Sequence, residues 1–371
     1  MGLNPEQYRL SEADHEAIFK IYIEPQVFAL ATAVDRPVAV IFGGQPGAGK
    51  SRAVDDALDE FNVKGGAVQI IGDDLRGYHP AYAALLTTDD KTAAFYTDRD
   101  TGKWVEKCIA RAKEQRSNVV IEGTMRSGDI VAATMADFRD AGYEIDARAL
   151  AVNFRLSEQG ILQRYENQKA DRGTGRMTTA KAHQDAYDGM PHTIELVERE
   201  KLADRLTIYR RGGEAIYANE LHIGQWKNPP LAKAALDAER DRRMTLQERR
   251  DYATGFDRLV ELQSRPGRNA TDAERETLSA LREAAHNSLK AEVFRRFAGK
   301  DVLAVYPELA GAYEADAAIT NRLQTYRGTP EQRAEIAAQG REFIASRIER
   351  GLAPPATSKV KTVSRDNDHD R

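Results

Sequence analysis

The sequence predicts an α/β fold: a doubly wound parallel sheet with helices on both faces, followed by an all-helical domain or arm. Three observations carry that prediction. Short β-branched runs alternate with amphipathic stretches up to about Ile223, and every glycine-rich turn of interest falls in that span. The first run feeds directly into a glycine-rich turn and then a helix. Beyond Asn228-Pro229-Pro230 the chain becomes rich in Ala, Arg, Glu and Leu, with almost no strand signal. Strand and helix in strict alternation mark right-handed crossovers, which place helices on both faces of a parallel sheet.

The elements follow in order. A helix is predicted over 11–33, with Ser11 as N-cap, Ile18, Phe19, Tyr22, Ile23 and Val27 at helical spacing, and Pro25 as a kink. Arg36-Pro37 breaks it. The run Val38 to Phe42 is apolar throughout and stops at two glycines, as a strand buried on both faces does. Similar runs at 67–71, 118–121 and 147–152 predict three more strands, separated by helices over 51–61, about 101–116 and 130–141. The segments 206–209 and 215–217 around Arg211-Gly212-Gly213 read as a β-hairpin. Helices are predicted over 231–256, 272–298, 301–318 and 330–350, punctuated by Pro266-Gly267, Gly299 and Gly328 to Pro330. From Ala353 the charged tail has no apolar period and is expected to be disordered. The predicted organisation is thus residues 1–223 as the chemistry-bearing domain, 231–352 as a helical accessory domain and 353–371 as a tail.

Composition narrows the function classes. The chain has 371 residues, with 54 Lys and Arg against 58 Asp and Glu, a net charge of -4 and one cysteine, Cys108. That balance argues against a surface built to trap nucleic acid or an anionic membrane. A lone cysteine forms no internal disulfide, the start lacks a basic segment followed by an apolar one, and no apolar run reaches the roughly 20 residues of a membrane span. The expected compartment is the cytoplasm. Met1-Gly2 opens like a myristoylation site, but Glu6 stands where Ser or Thr is required.

The chemistry centres on Gly44-Gln45-Pro46-Gly47-Ala48-Gly49-Lys50-Ser51, a match to G-x-x-x-x-G-K-[ST] between an apolar strand and a helix. Its glycines let backbone N–H groups turn inward around phosphate oxygens, and the following helix aims its positive end at them. Lys50 is expected to reach the β- and γ-phosphates of ATP and Ser51 to ligate Mg²⁺. No Asn/Thr-Lys-x-Asp guanine reader follows, and the run Val119 to Ile121 ends in Glu122-Gly123-Thr124-Met125-Arg126 instead of paired acids. Polar residues at a strand's carboxyl end sit in the crevice where such sheets bind ligands, which points to a small substrate beside the nucleotide. Asp73, at the end of the second strand with Asp74 beside it, can accept a hydroxyl proton or bind metal. Arg164 and Arg176 are candidates to neutralise charge on the transferring phosphoryl group. The first domain therefore reads as a P-loop kinase-like fold.

Taken in order, these segments resemble the zeta toxin family of toxin–antitoxin kinases: Gly44 to Ser51; Gly72-Asp73 with Arg76 and His79-Pro80; Val120-Ile121-Glu122-Gly123-Thr124 with Arg126; Arg164-Tyr165-Glu166; and Arg176 with Thr179, Lys181 and His183. The likeness covers about residues 8–223. It implies ATP-dependent phosphorylation of the sugar 3′-hydroxyl of UDP-N-acetylglucosamine or a related nucleotide sugar, which would starve wall synthesis. It also implies Asp73 as general base and metal-side carboxylate, Lys50 as phosphate-loop lysine, Ser51 as magnesium hydroxyl, and Arg164 and Arg176 on the ATP phosphates. Glu106, Glu122, Thr124, Arg126 and Thr134 would line the sugar-nucleotide pocket, and a small helical antitoxin protein would be the partner. Two competing readings are a kinase of another small hydroxyl compound and an ATP-gated interaction protein of a mobile element. The Arg and Lys clusters after residue 230 alternate with Glu and Asp, as solvated helix faces do.

Overall fold

The computed structural model describes residues 4–352; the expected tail at 353–371 and the Met1-Gly2 start lie outside the described residues. Two compact units emerge. The first runs through Arg243 and takes in Leu262–Arg268; the second comprises Met244–Glu261 and the chain from Asn269 onward.

The first unit is built on a seven-stranded sheet. Strands β1 (Val38–Gly43), β2 (Val68–Ile71), β3 (Val119–Glu122), β4 (Glu144–Ala151), β5 (Arg205–Arg210), β6 (Ala215–His222) and β7 (Gln225–Trp226) lie in the order β2-β3-β1-β4-β5-β6-β7. The first five are mutually parallel, while β5–β6 and β6–β7 pair antiparallel, so the predicted hairpin forms and gains a short third strand. Alternation along β1 explains the run: Ala39 and Ile41 pack on one face, Val40 and Phe42 on the other. Both faces are covered, so every position must be apolar.

Helix α3 (Lys50–Asp59) covers one face with Val54 and Ala57. The other face carries α6 (Ala93–Gln115) with Trp104, Cys108 and Ala112, α7 (Gly128–Asp140) with Met135 and Phe138, and α9 (Ala180–Arg199) with Met190, Ile194 and Val197. Burial pushes the Cys108 thiol up to about 12, the signature of an inert packing residue. The connection after β1 runs toward β2, and that after β3 runs to the opposite side, toward β4. The crevice outside the ends of β1 and β3 is therefore the switch point at which such sheets bind ligands.

Several expected boundaries move. The leading helix is three pieces, α1 (Glu12–Ile18), a π-turn (Phe19–Ile23) and α2 (Glu24–Val27), and it ends well short of residue 33. Pro25 has no N–H and its ring crowds the carbonyl four residues back, which the wider π-turn accommodates. Helix α6 starts eight residues before the predicted 101, because Thr92 and Ala93 already bond back to Asp89.

The predicted helix at 231–256 is broken into α10 (Ala232–Asp241) and α11 (Leu246–Gln263). The first of these belongs to the sheet-bearing unit, packing Ala232 and Leu236 into its core, so that unit extends to Arg243 and not to 223. The pattern could not reveal this, because an amphipathic helix reads the same whichever core it faces.

In the second unit, α12 (Asp272–Arg296) and α15 (Pro330–Glu349) are opened by capping boxes at Thr271/Glu274 and Thr329/Gln332. The predicted helix at 301–318 is divided into α13 (Gly299–Leu303) and α14 (Ala310–Leu323), separated by a 3-10 turn at Pro307. Arg341 of α15 lies over the Phe294 ring at 4.8 Å, bonds the carbonyls of Phe294 and Phe297 at the end of α12, and pairs with Asp316 of α14 at 2.6 Å.

Candidate active site

The phosphate loop leaves β1 and wraps the start of α3. Gly47 and Gly49 hold φ of 76° and 87°, the left-handed region open to glycine. The loop also lies hard against α8 (Phe154–Arg172): a Cβ on Gly47 would stand 1.9 Å from the Ser157 carbonyl oxygen, and one on Gly160 2.3 Å from that of Gly47. This glycine-to-glycine contact sets the position of α8, and with it Arg164, relative to the loop. Lys50 is buried and donates to the carbonyls of Gly44 (2.8 Å) and Gln45 (3.3 Å), with Glu122 Oε1 at 3.6 Å. Burial lowers its pKa, which Glu122 and Asp73 oppose and Arg164 reinforces.

Glu122 faces Phe42 across the β1–β3 pair, at the switch point itself. The chain then turns through Met125, a non-glycine residue at φ 50° whose side chain packs over Gly43. Left-handed backbone at such a residue costs free energy and tends to collect at functional sites.

Asp73 comes from the short helix α4 (Gly72–Leu75) that replaces a loop after β2. Both of its oxygens contact Arg176, and Oδ1 also accepts from Arg76 Nε at 3.3 Å. Arg76 in turn pairs with Asp98 and bonds Thr97 and the Ala94 carbonyl. Burial opposes its charge, but Asp98 and Asp73 outweigh that and hold the guanidinium protonated. The Asp74 carboxyl is pushed above its ordinary value by burial, then by Asp73 and Glu122.

Arg164 bonds Thr178 at 2.7 Å and is lowered to about 10 by burial and by Arg176. A group of cations therefore stands around two carboxylates at the crevice, a field suited to a polyanion. A magnesium ion needs few protein ligands, all oxygen. The Ser51 hydroxyl and the Asp73 carboxylate are hard oxygen donors of that kind; no cluster of three or more His, Cys, Asp or Glu forms a dedicated metal cage among the described residues.

The structure thus gathers Lys50, Asp73, Glu122, Arg164 and Arg176. It leaves the other sequence candidates less defined. Glu106 is exposed on α6, Arg126 is exposed after the β3 turn, Thr124 is half-buried, and the Thr134 hydroxyl donates to the Ile130 carbonyl within α7.

Sequence reasoning missed the supports. Asp90 accepts from Tyr165, Lys169 and the Gly175 N–H (3.0, 2.8 and 3.2 Å), anchoring the loop that carries Arg176. Arg268 holds Glu166 with two bonds of 2.7 and 2.9 Å. Arg211, at the β5–β6 turn, lies 3.8 Å from the Cβ position of Gly49. None of these partners is near its mate in sequence, so no spacing announces them.

A family model described as "Zeta toxin" matches residues 27–222. The chain belongs to the zeta toxin family. Its likeness to Toxin PezT of Streptococcus pneumoniae is 31% identity over 206 residues, 52% of this chain and 80% of the relative. To Toxin zeta of Enterococcus hirae it is 28% over 218 residues, 58% and 73%. A solved chain from work on the PezAT chromosomal toxin–antitoxin system of Streptococcus pneumoniae superposes with a TM-score of 0.59 at 23% identity, covering 70% of this chain and all of the other, which establishes the shared fold. Zeta toxin membership makes this a kinase-like phosphotransferase of the ATP-dependent type. The family match ends at residue 222, so the helical second unit lies outside it.

Proposed function

We propose that the chain transfers the γ-phosphate of ATP to the sugar 3′-hydroxyl of UDP-N-acetylglucosamine or a related nucleotide sugar, and so depletes wall precursors. The observation that carries this reading is the meeting of Asp73 with Arg76 and Arg176 beside the buried Lys50 and Glu122. A carboxylate among phosphate-binding cations is where a nucleophilic hydroxyl must lose its proton.

Without nucleotide, Asp73 is masked by Arg176. A triphosphate carries more charge than one carboxylate and would draw Arg176 toward the transferring group. Asp73 then accepts the proton of the acceptor hydroxyl as its oxygen bonds the γ-phosphorus. The bond from that phosphorus to the β,γ-bridging oxygen breaks, and the electron pair leaves with ADP. Lys50, Arg164 and Arg176 hold the phosphate oxygens through that step. Ser51 and Asp73 would hold magnesium, which would supply positive charge to the ATP phosphates. Glu106, Glu122, Thr124, Arg126 and Thr134 are assigned to the acceptor pocket. A small helical antitoxin is the proposed partner, on the strength of the toxin–antitoxin system named for the solved relative.

The test is to incubate the purified chain with ATP, magnesium and a panel of nucleotide sugars, following ADP and the phosphorylated sugar by mass spectrometry. Phosphate transfer to UDP-N-acetylglucosamine supports the reading. ADP formation only with an unrelated hydroxyl compound replaces the acceptor.

A further inference from the structure

Within the first unit, α10 begins after the family segment ends, yet its last turn reaches the phosphate loop. Arg240 is 3% exposed. Its Nη1 donates to the Tyr187 carbonyl at 2.7 Å, its Nη2 donates to Gln45 Oε1 at 2.9 Å, and its guanidinium lies 4.0 Å from the Tyr187 ring centre. Its Nε is buried with no partner. Burial lowers its pKa, and the more distant Asp237, Asp188 and Asp241 do not restore it.

Gln45 is the second residue of the loop and is wholly buried. Its amide nitrogen donates to the Val152 carbonyl at 2.7 Å and to Ser157 Oγ at 3.2 Å, and Ser157 Oγ bonds His183 at 2.8 Å. The main-chain carbonyl of this same residue receives Lys50. One amide side chain therefore ties the loop to the end of β4, to α8 and to α10, while its backbone holds the lysine.

We propose that Arg240 is a positioning residue of the nucleotide site. It acts through Gln45 to fix the phosphate loop, and it places in the loop's surroundings a buried cation whose charge a bound phosphate chain would balance. The kinase site is then incomplete without a helix from beyond the family segment. The surroundings favour this over a packing role. A guanidinium held by two neutral oxygens and a ring, with no carboxylate of the described residues in contact, bears an uncompensated desolvation cost that packing alone does not require, whereas one beside a polyanion site is stabilised when that site fills. The inference rests on the reading of the loop as an ATP site.

The experiment uses the full chain and ATP binding measured by calorimetry with magnesium, which needs no knowledge of the acceptor. Arg240→Gln is expected to weaken ATP binding by about tenfold or more, the usual effect of losing a charge-assisted hydrogen bond. The melting temperature of Arg240→Gln without nucleotide should stay close to wild type, so that the loss is one of ATP binding and not of folding. Arg240→Lys keeps the charge but not the fork that spans Tyr187 and Gln45, and is expected to be intermediate. The double variant Gln45→Ala with Arg240→Gln should be no weaker than the poorer single variant, because both break one path.

Unchanged ATP affinity in Arg240→Gln and Arg240→Lys, with wild type binding ATP normally, overturns this inference alone. Equal loss of ATP binding in Arg240→Gln and Arg240→Lys with a lowered melting temperature overturns it in favour of packing. A folded wild-type chain that binds no ATP overturns the nucleotide reading as well.

Discussion

Asp73 and Asp74 are neighbours whose surroundings separate them. Asp73 is held by Arg176 and Arg76, so its replacement by Asn should lower kcat by about 10² to 10⁴, the span of a positioned general base, while leaving ATP bound. Single-turnover phosphate transfer measures it. Asp74 is an exposed residue whose carboxyl is only partly desolvated; that desolvation first, then Asp73 and Glu122, raises it above its ordinary 3.8. The folded state thus binds this proton more tightly than the unfolded chain. Its stabilising contribution is complete below about pH 3.8 and is lost as pH rises through the raised folded value. The Asp74→Asn variant should therefore melt above wild type at pH 7, with the gap closing below about pH 4, as thermal unfolding at the two pH values will record. Both acids were visible in the sequence as strand-end residues. Arg176 could be named but not placed, because Gly173 and Gly175 just before it left its loop's path open.

At the scale of elements, the site depends on how closely the phosphate loop approaches α8. Gly47→Ala should cost about 2 kcal/mol or more in unfolding by urea and abolish ATP binding, since its Cβ has no room and its φ is left-handed. Asp90→Ala should leave the Tyr165 hydroxyl, Lys169 and the Gly175 N–H without their acceptor, costing about 1–3 kcal/mol. Its kcat should fall further than its ATP affinity, since Arg176 would lose its seat. Such supports explain what the sequence hid. Strands such as β1 were legible because burial on both faces leaves an unbroken apolar run. The loop was legible because its chemistry requires those glycines at that spacing. The bond from Arg240 to Gln45 spans 195 positions and has no local pattern. The early end of the leading helix was equally hidden, since the π-turn keeps apolar residues facing the core.

For the whole molecule, the first unit is not a simple prefix of the chain. The path leaves it after Arg243 and returns for Leu262–Arg268, where Arg268 meets Glu166 with both side chains 6% exposed. Arg268→Met should destabilise the full chain by about 3 kcal/mol by leaving a buried carboxylate unpaired, and adding Glu166→Gln should recover part of that loss in urea unfolding. The division near Pro229-Pro230 expected from composition followed the loss of strand signal, which the return segment does not disturb. The proposed mechanism turns on Asp73 as the base of a zeta-type kinase. The most direct measurement is ³¹P-resolved transfer from ATP to UDP-N-acetylglucosamine by wild type, Asp73→Asn and Lys50→Met. A 3′-phosphorylated nucleotide sugar made by wild type and lost in both variants is the predicted result; wild-type rates in Asp73→Asn, or no transfer to any nucleotide sugar, would contradict it.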